Sequence, residues 1–248
     1  NQLIDIVNHS FKGKVSNQYA VQCPVVDINN LETSLVPIYL KDHDHACVIY
    51  TPMLECDERS IALTMITSHI LSPVFFQKMR TEKQYGYLVG VGYVPVNRYP
   101  GIALYIQSPH TDSTTLANAM DQFIGDLDDY LNSINADDWQ HMIEGLAGQL
   151  QEHDQNLRIT SLRFWSAICN KDEHFEHKRN IISALLSLSM SDIKSFIEEQ
   201  LQPASTPDRV ILFTLPENTA IQATSHENLK GKVISDLENF TKKSQRKF

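Results

Sequence analysis

The sequence predicts an α+β domain in which helices cover one face of an antiparallel sheet. Three observations predict it. Short apolar runs with strand character stand in neighbouring pairs, at Leu35–Leu40 with Cys47–Met53 and at Gly86–Val96 with Ile102–Ile106. Longer segments with apolar residues three and four apart fill much of the rest. The order strand–strand–helices–strand–strand–helices–strand folds most economically as one sheet with its helices on a single face. With 248 residues, 42% of them hydrophobic and 21% charged, a sizeable core is affordable.

Residues 1–30 read as an amphipathic helix and a linker. Leu3, Ile4 and Val7 have helical spacing, and Cys23-Pro24 breaks the pattern. This opening does not lead into the core that follows, so it reads as the end of a preceding domain. Leu35–Leu40 and Cys47–Met53 are strands. The polar stretch Lys41-Asp42-His43-Asp44-His45 joins them as an exposed hairpin tip. A helix starts at Asp57 and runs through Ile61, Met65, Ile66, His69 and Ile70. Ser72-Pro73 interrupts it, and a shorter helix through Phe75, Phe76 and Met79 ends near Arg80. In the strand Gly86–Val96, Tyr87, Val89, Val91 and Tyr93 share one face. Leu88, Gly90, Gly92 and Val94 share the other, which is the face expected to receive the helices and so to leave Tyr87 exposed. Val96–Gly101 is a turn, and Ile102, Leu104 and Ile106 return antiparallel.

Helices dominate thereafter. Met120, Phe123, Ile124, Leu127, Tyr130, Leu131 and Ile134 form one apolar stripe, with Asp112 or Ser113 as N-cap. Trp139, Met142, Ile143, Leu146 and Leu150 form a second, opened by Asp137 and Asp138. Leu157, Leu162, Trp165 and Ile168 give a third, and Ile181, Ile182, Leu185 and Leu186 a fourth. Ser189-Met190-Ser191-Asp192 fits a capping box ahead of Ile193, Phe196, Ile197 and Leu201. Arg209–Leu215 is a last strand. Residues 217–248 are a polar C-terminal extension whose basic tip, Lys242 to Lys247, reads as a solvated terminus.

A net charge of −9 argues against nucleic acid as the main partner, because phosphate binding needs a basic surface. No run of about 18 apolar residues marks a membrane span. The N-terminus shows no basic start followed by an apolar stretch, so no signal peptide is expected there. Cys23, Cys47, Cys56 and Cys169 form no CxxC pair and read as buried thiols.

Three groupings of histidine with a second ligand, and one lone histidine, are the candidates for a metal site. His43 and His45 lie two apart with no further ligand downstream and fit a solvated turn. His174 and His177 have their acid at the wrong offset for a zinc helix. His141 and Glu144 lack the second histidine that HxxEH requires, since Gly145 stands in its place. His69 reads as a core-edge histidine. No GxSxG, P-loop or dinucleotide fingerprint occurs, and Gly86, Gly90 and Gly92 fit a strand that another backbone approaches closely. There remain Arg80 and Tyr87, seven positions apart across a helix-to-strand junction. On chemistry alone they are a surface arginine and a strand tyrosine.

From about Leu31 to Leu215 the chain resembles the last domain of the insulinase/pitrilysin (M16) zinc metallopeptidases. The residues that carry the resemblance are Ser72-Pro73 through Phe76, Arg80-Thr81-Glu82-Lys83-Gln84-Tyr85-Gly86-Tyr87, Ile106-Gln107-Ser108 and Ser189 to Ile193. The segment Val233 to Phe240 resembles the C-terminal part of these enzymes. Tyr85 departs from the aliphatic residue common in relatives. The resemblance implies a domain of the LuxS/M16 metallohydrolase type spanning 31–216. It further implies an enzyme whose two halves close around a peptide, with zinc held by HxxEH on a first domain outside this chain. Arg80 and Tyr87 match an arginine and tyrosine that reach that centre as accessory catalytic groups contacting substrate or oxyanion. Peptide substrates and an N-terminal catalytic half are the implied partners. This chain alone, lacking HxxEH, is expected to be inactive and without a cofactor. The same fold also serves as a catalytically silent partner subunit, a binding and assembly module. Family members occur in periplasm and cytosol, so the compartment stays open.

Overall fold

The computed structural model describes residues 5, 9, 25–28, 32–41, 44–152, 154–169, 172, 175–202, 208–217, 229–244 and 246–247. The expectations for Leu3, Ile4, Val7, Cys23-Pro24, His43 and His174 lie outside these residues.

The main sheet is built from β2 (Ser34–Leu40), β3 (His45–Pro52), β4 (Leu88–Tyr93), β5 (Gly101–Ser108), β6 (Val210–Pro216) and β7 (Lys232–Val233), in the order β4-β5-β3-β6-β2-β7. Four adjacent strands, β4, β5, β3 and β6, are antiparallel. β2 runs parallel to β6, and β7 parallel to β2, so one flank makes the sheet mixed. The α+β layering is therefore as expected, but β2 and β3 do not form a hairpin. β6 lies between them, with Val48 and Val36 both opposite Leu212. Adjacency in sequence favoured the hairpin. The distant β6 carries Ile211 and Phe213 into the core and takes the central position.

The helices are α1 (Glu58–Phe76), α2 (Ser113–Gly125), α3 (Leu127–Ser133), α4 (Ala136–Gln151), α5 (Leu157–Cys169), α6 (His177–Leu186), α7 (Met190–Gln200) and α8 (Leu237–Lys243). Asp57 caps α1 by accepting from the amides of Arg59 and Ser60. Pro73 does not interrupt α1. The helix runs through it and passes directly into a π-helical turn, Gln77–Glu82. An interior proline costs a helix about 3 kcal/mol, and burial of Ile66, Ile70, Leu71 and Phe75 offsets that cost. The stretch Glu58–Glu82 is long and apolar enough to cross a membrane, yet half of it is buried inside the domain, as in a core helix.

The stripe from Met120 to Ile134 divides at Asp126 into α2 and α3. Asp112 caps α2, Asn135 caps α4, and Ser189 with Asp192 forms the capping box of α7. Phe75 of α1 and Phe123 of α2 meet edge to face at 5.0 Å in the centre of the core. The inward strand residues include Cys47, Ile49, Val89, Val91, Leu104, Ile106, Ile211 and Phe213. Cys47 is a buried thiol whose pKa burial pushes up to about 12. Cys56 is only half-buried and Cys169 is exposed, so burial does not extend to them.

Two further expectations change. No residue of α5 is buried, although its apolar stripe reads like the others. The C-terminal tip is more than a solvated end, because β8 (Arg246–Lys247) pairs antiparallel with β1 (Val25–Val26).

Candidate functional site

Strand β4 starts at Leu88 and not at Gly86, and the chain before it is wound unusually. After α1, the amide of Lys83 donates to the Lys78 carbonyl at 3.0 Å, five residues back. Tyr85 N–H then reaches the Met79 carbonyl at 3.1 Å, six back. Such wide turns are uncommon and often mark functional positions. The winding buries Met79 and leaves the next residue, Arg80, half-buried at the surface. Gln84 then takes a left-handed conformation, φ 55°, which reverses the chain. Tyr85 packs against the core and Gly86 is buried.

Gly86 is where the backbone of this bend touches β5. A Cβ there would lie 1.7 Å from the carbonyl oxygen of Gln107. Only glycine permits that approach. Gly90 serves differently, since a Cβ there would meet the Tyr105 hydroxyl at 2.4 Å. A tyrosine ring, rather than a backbone, lies over it. Gly92 has open space around it. The expected close backbone approach thus belongs to Gly86 alone of the three.

The faces of β4 are the reverse of the expectation. Val89 and Val91 are buried under the helices, whereas Leu88 is 56% exposed. Both faces of this strand are apolar, and the helices take the one bearing the bulkier valines. Tyr87 lies one residue before the strand, outside its ladder with β5. It is 81% exposed.

The structure brings Arg80 and Tyr87 together. The guanidinium carbon of Arg80 lies 5.0 Å from the centre of the Tyr87 ring. Its Nη1 also donates to the Gly86 carbonyl at 2.5 Å. The result is a bend that presents a phenol hydroxyl and an anchored cation side by side, next to an open strand. Both groups donate hydrogen bonds to carbonyl oxygens or to an oxyanion. Composition gave no signal that the Gly86 carbonyl would be the anchor of Arg80. The glycine between Tyr85 and Tyr87 was the available clue.

The described histidines are dispersed. His69 is half-buried at the core edge, and His141 lies exposed on α4, where Glu144 accepts instead from Gln140. Asp44, beside His45, accepts from Gln107 at 2.9 Å. His177 Nδ1 stands 3.7 Å from Glu58. Among the described residues no group of three or more His, Cys, Asp or Glu side chains is arranged to hold a metal ion. A cavity of about 660 Å³ lies at the far end of β4, lined by Tyr93, Arg98, Arg163 and His177 among others, and does not include Arg80 or Tyr87.

Residues 66–165 match the family model described as PQQ synthase PqqF-like, C-terminal lobe domain 4. A nardilysin-like protein of Arabidopsis thaliana is 25% identical over 191 residues, 77% of this chain and 18% of its own length. The insulin-degrading enzyme of Homo sapiens is 25% identical over 135 residues, 53% of this chain and 13% of that protein. The crystal structure of pitrilysin superposes on 99% of this chain with a TM-score of 0.82 at 16% identity, over 26% of the pitrilysin chain. The chain therefore spans a fifth or less of the curated relatives' lengths and about a quarter of the matched structure.

Proposed function

We propose that this chain, an M16 peptidase-like C-terminal domain, is the accessory part of a zinc metalloendopeptidase and supplies Arg80 and Tyr87 to peptide bound at a zinc site on another domain. The observation that carries the reading is the exposed Tyr87 held against an anchored Arg80 at the mouth of an open strand. An 81% exposed tyrosine adds little to the fold, so its place beside a fixed cation calls for a ligand.

In this reading the Tyr87 hydroxyl and the Arg80 guanidinium donate to a carbonyl oxygen of the peptide. Their hold strengthens as that oxygen gains charge. In this reading the metal and the water it activates sit on another part of the enzyme, in keeping with the lack of an HxxEH motif in this sequence. Dividing the groups in this way makes the site complete only when the parts close on substrate.

The test uses the natural polypeptide that contains this chain, assayed with a fluorogenic peptide. Tyr87→Phe is expected to lower kcat about 100- to 1,000-fold, the usual effect of losing one oxyanion donor, with little change in KM. An unchanged kcat would overturn the catalytic role. Hydrolysis absent from the wild-type polypeptide but restored by adding a separate zinc-bearing subunit would identify the chain as a silent partner module.

A further inference from the structure

We propose that the outer edge of β4 is a docking strand for an extended peptide backbone, which it leads past Arg80 and Tyr87. The choice of a peptide as occupant rests on the function proposed above. The edge itself rests on the hydrogen-bond ladder.

β4 is the terminal strand of the six-stranded sheet, and among the described residues no strand lies beyond it. Its ladder with β5 shows which backbone groups face outwards. The Val94 amide donates to the Gly101 carbonyl at 2.8 Å, one step past the Tyr93–Ile102 pair. In an antiparallel ladder, hydrogen-bonded and non-bonded pairs alternate. Gly92–Ala103, Gly90–Tyr105 and Leu88–Gln107 are therefore the bonded pairs. Val89, Val91 and Tyr93 turn their N–H and C=O groups away from β5, to the open edge.

Three features suit this edge to a peptide. The side chains of Val89 and Val91 are buried in the core, so their outward backbone is held in place. Natural edge strands are usually blunted by charge, proline or bulges, and the run Leu88-Val89-Gly90-Val91-Gly92-Tyr93 carries neither charge nor proline. At its start stand the hydroxyl of Tyr87 and the Arg80 guanidinium, donors for a carbonyl of a strand laid along β4. Adding a strand satisfies the main chain whatever the side chains are. The occupant is thus a peptide in extended conformation with weak sequence preference.

Amide hydrogen exchange of this chain, followed residue by residue by NMR, tests the proposal. The probe is an acetylated, amidated heptapeptide of alternating Thr and Val. In the free chain the amides of Val89, Val91 and Tyr93 should exchange at least about tenfold faster than those of Leu88, Gly90 and Gly92. With the peptide, Val89 and Val91 should slow by at least about tenfold, and the fully N-methylated peptide should have no effect. The proposal is overturned if Val89 and Val91 are already as protected as Gly90 without peptide, because the edge is then covered. It is equally overturned if their protection grows with chain concentration alone, which would mean that a second copy occupies the edge. Repeating the exchange with Tyr87→Phe separates the two readings. Protection retained in that variant supports the edge whatever happens to turnover. A turnover defect without any peptide-induced protection of Val89 and Val91 leaves the role of Tyr87 standing and removes the edge.

Discussion

Arg80 grips the bend before β4 at two points, with its guanidinium 5.0 Å over the Tyr87 ring and its Nη1 on the Gly86 carbonyl. A lysine at this position has a point charge and no planar fork, so it cannot make both contacts in this geometry. Arg80→Lys is expected to destabilise the chain by about 1–2 kcal/mol, from one weakened charged hydrogen bond and part of a cation–π contact. Tyr87→Leu removes only the ring contact and should cost less than about 1 kcal/mol. Urea denaturation of both variants checks the order. A larger loss for Tyr87→Leu would show that the ring, and not the carbonyl anchor, secures the bend.

Gly86 and Gly92 make opposite predictions within one strand region. At Gly86 a methyl group would overlap the Gln107 carbonyl, which is backbone in a paired strand and cannot swing aside. Gly86→Ala should therefore cost about 3 kcal/mol or more, at the upper end of overpacking effects. It should also displace Tyr87, so under the proposed role of that residue peptide turnover falls with it. At Gly92 nothing lies within 4 Å, and alanine should gain roughly 0.5–1 kcal/mol by restricting the unfolded chain. Thermal melts that place both variants on the same side of wild type would contradict these contacts.

The α7 cap predicts a pH dependence. Ser189, through its side chain and its amide, holds the Asp192 carboxyl below the usual aspartate range, and Arg59 reinforces this from 2.7 Å. Because the folded pKa is depressed, the stabilisation is fully present above the unfolded value of about 3.9. It is lost as pH falls through the lower folded value. Asp192→Asn should accordingly cost about 1 kcal/mol near pH 7, and the gap from wild type should close below about pH 4. A gap that stays constant from pH 7 to pH 3 would show that the carboxylate charge contributes nothing.

Much of this fold is legible in local patterns, and what is not depends on pairing at a distance. The capping box at Ser189, the cap at Asp112 and the β4–β5 hairpin follow from short-range chemistry, and the structure holds all three. The insertion of β6 between β2 and β3 joins residues some 160 positions apart, as in Cys47 opposite Phe213, and no local signal announces it. The buried face of β4 was ambiguous because Leu88 and Val94 are as apolar as Val89 and Val91. Arg80 and Tyr87 stood out in the sequence by family resemblance. Their mutual contact depends on the π-helical turn and the left-handed Gln84, neither of which a periodicity reveals.

The apolar stripes of α2 and α5 look alike in sequence and should behave differently under mutation. Phe123 of α2 is 2% exposed and packs on Phe75. Trp165 of α5 is 65% exposed, and its helix buries no residue. On its other side α5 is held by an edge-to-face contact of Phe164 with Phe175 at 5.4 Å and by the Arg163–Asp154 ion pair at 2.8 Å. Phe123→Ala should cost about 3–5 kcal/mol, the sum of lost transfer energy and an unfilled cavity. Trp165→Ala should cost less than about 1 kcal/mol, because little is withdrawn from a packed site. Chemical denaturation of the two variants decides the matter. Equal losses would mean that α5 is packed against the domain in solution, whereas the predicted contrast would confirm that its stripe, though periodic like a core helix, contributes little to the stability of this chain.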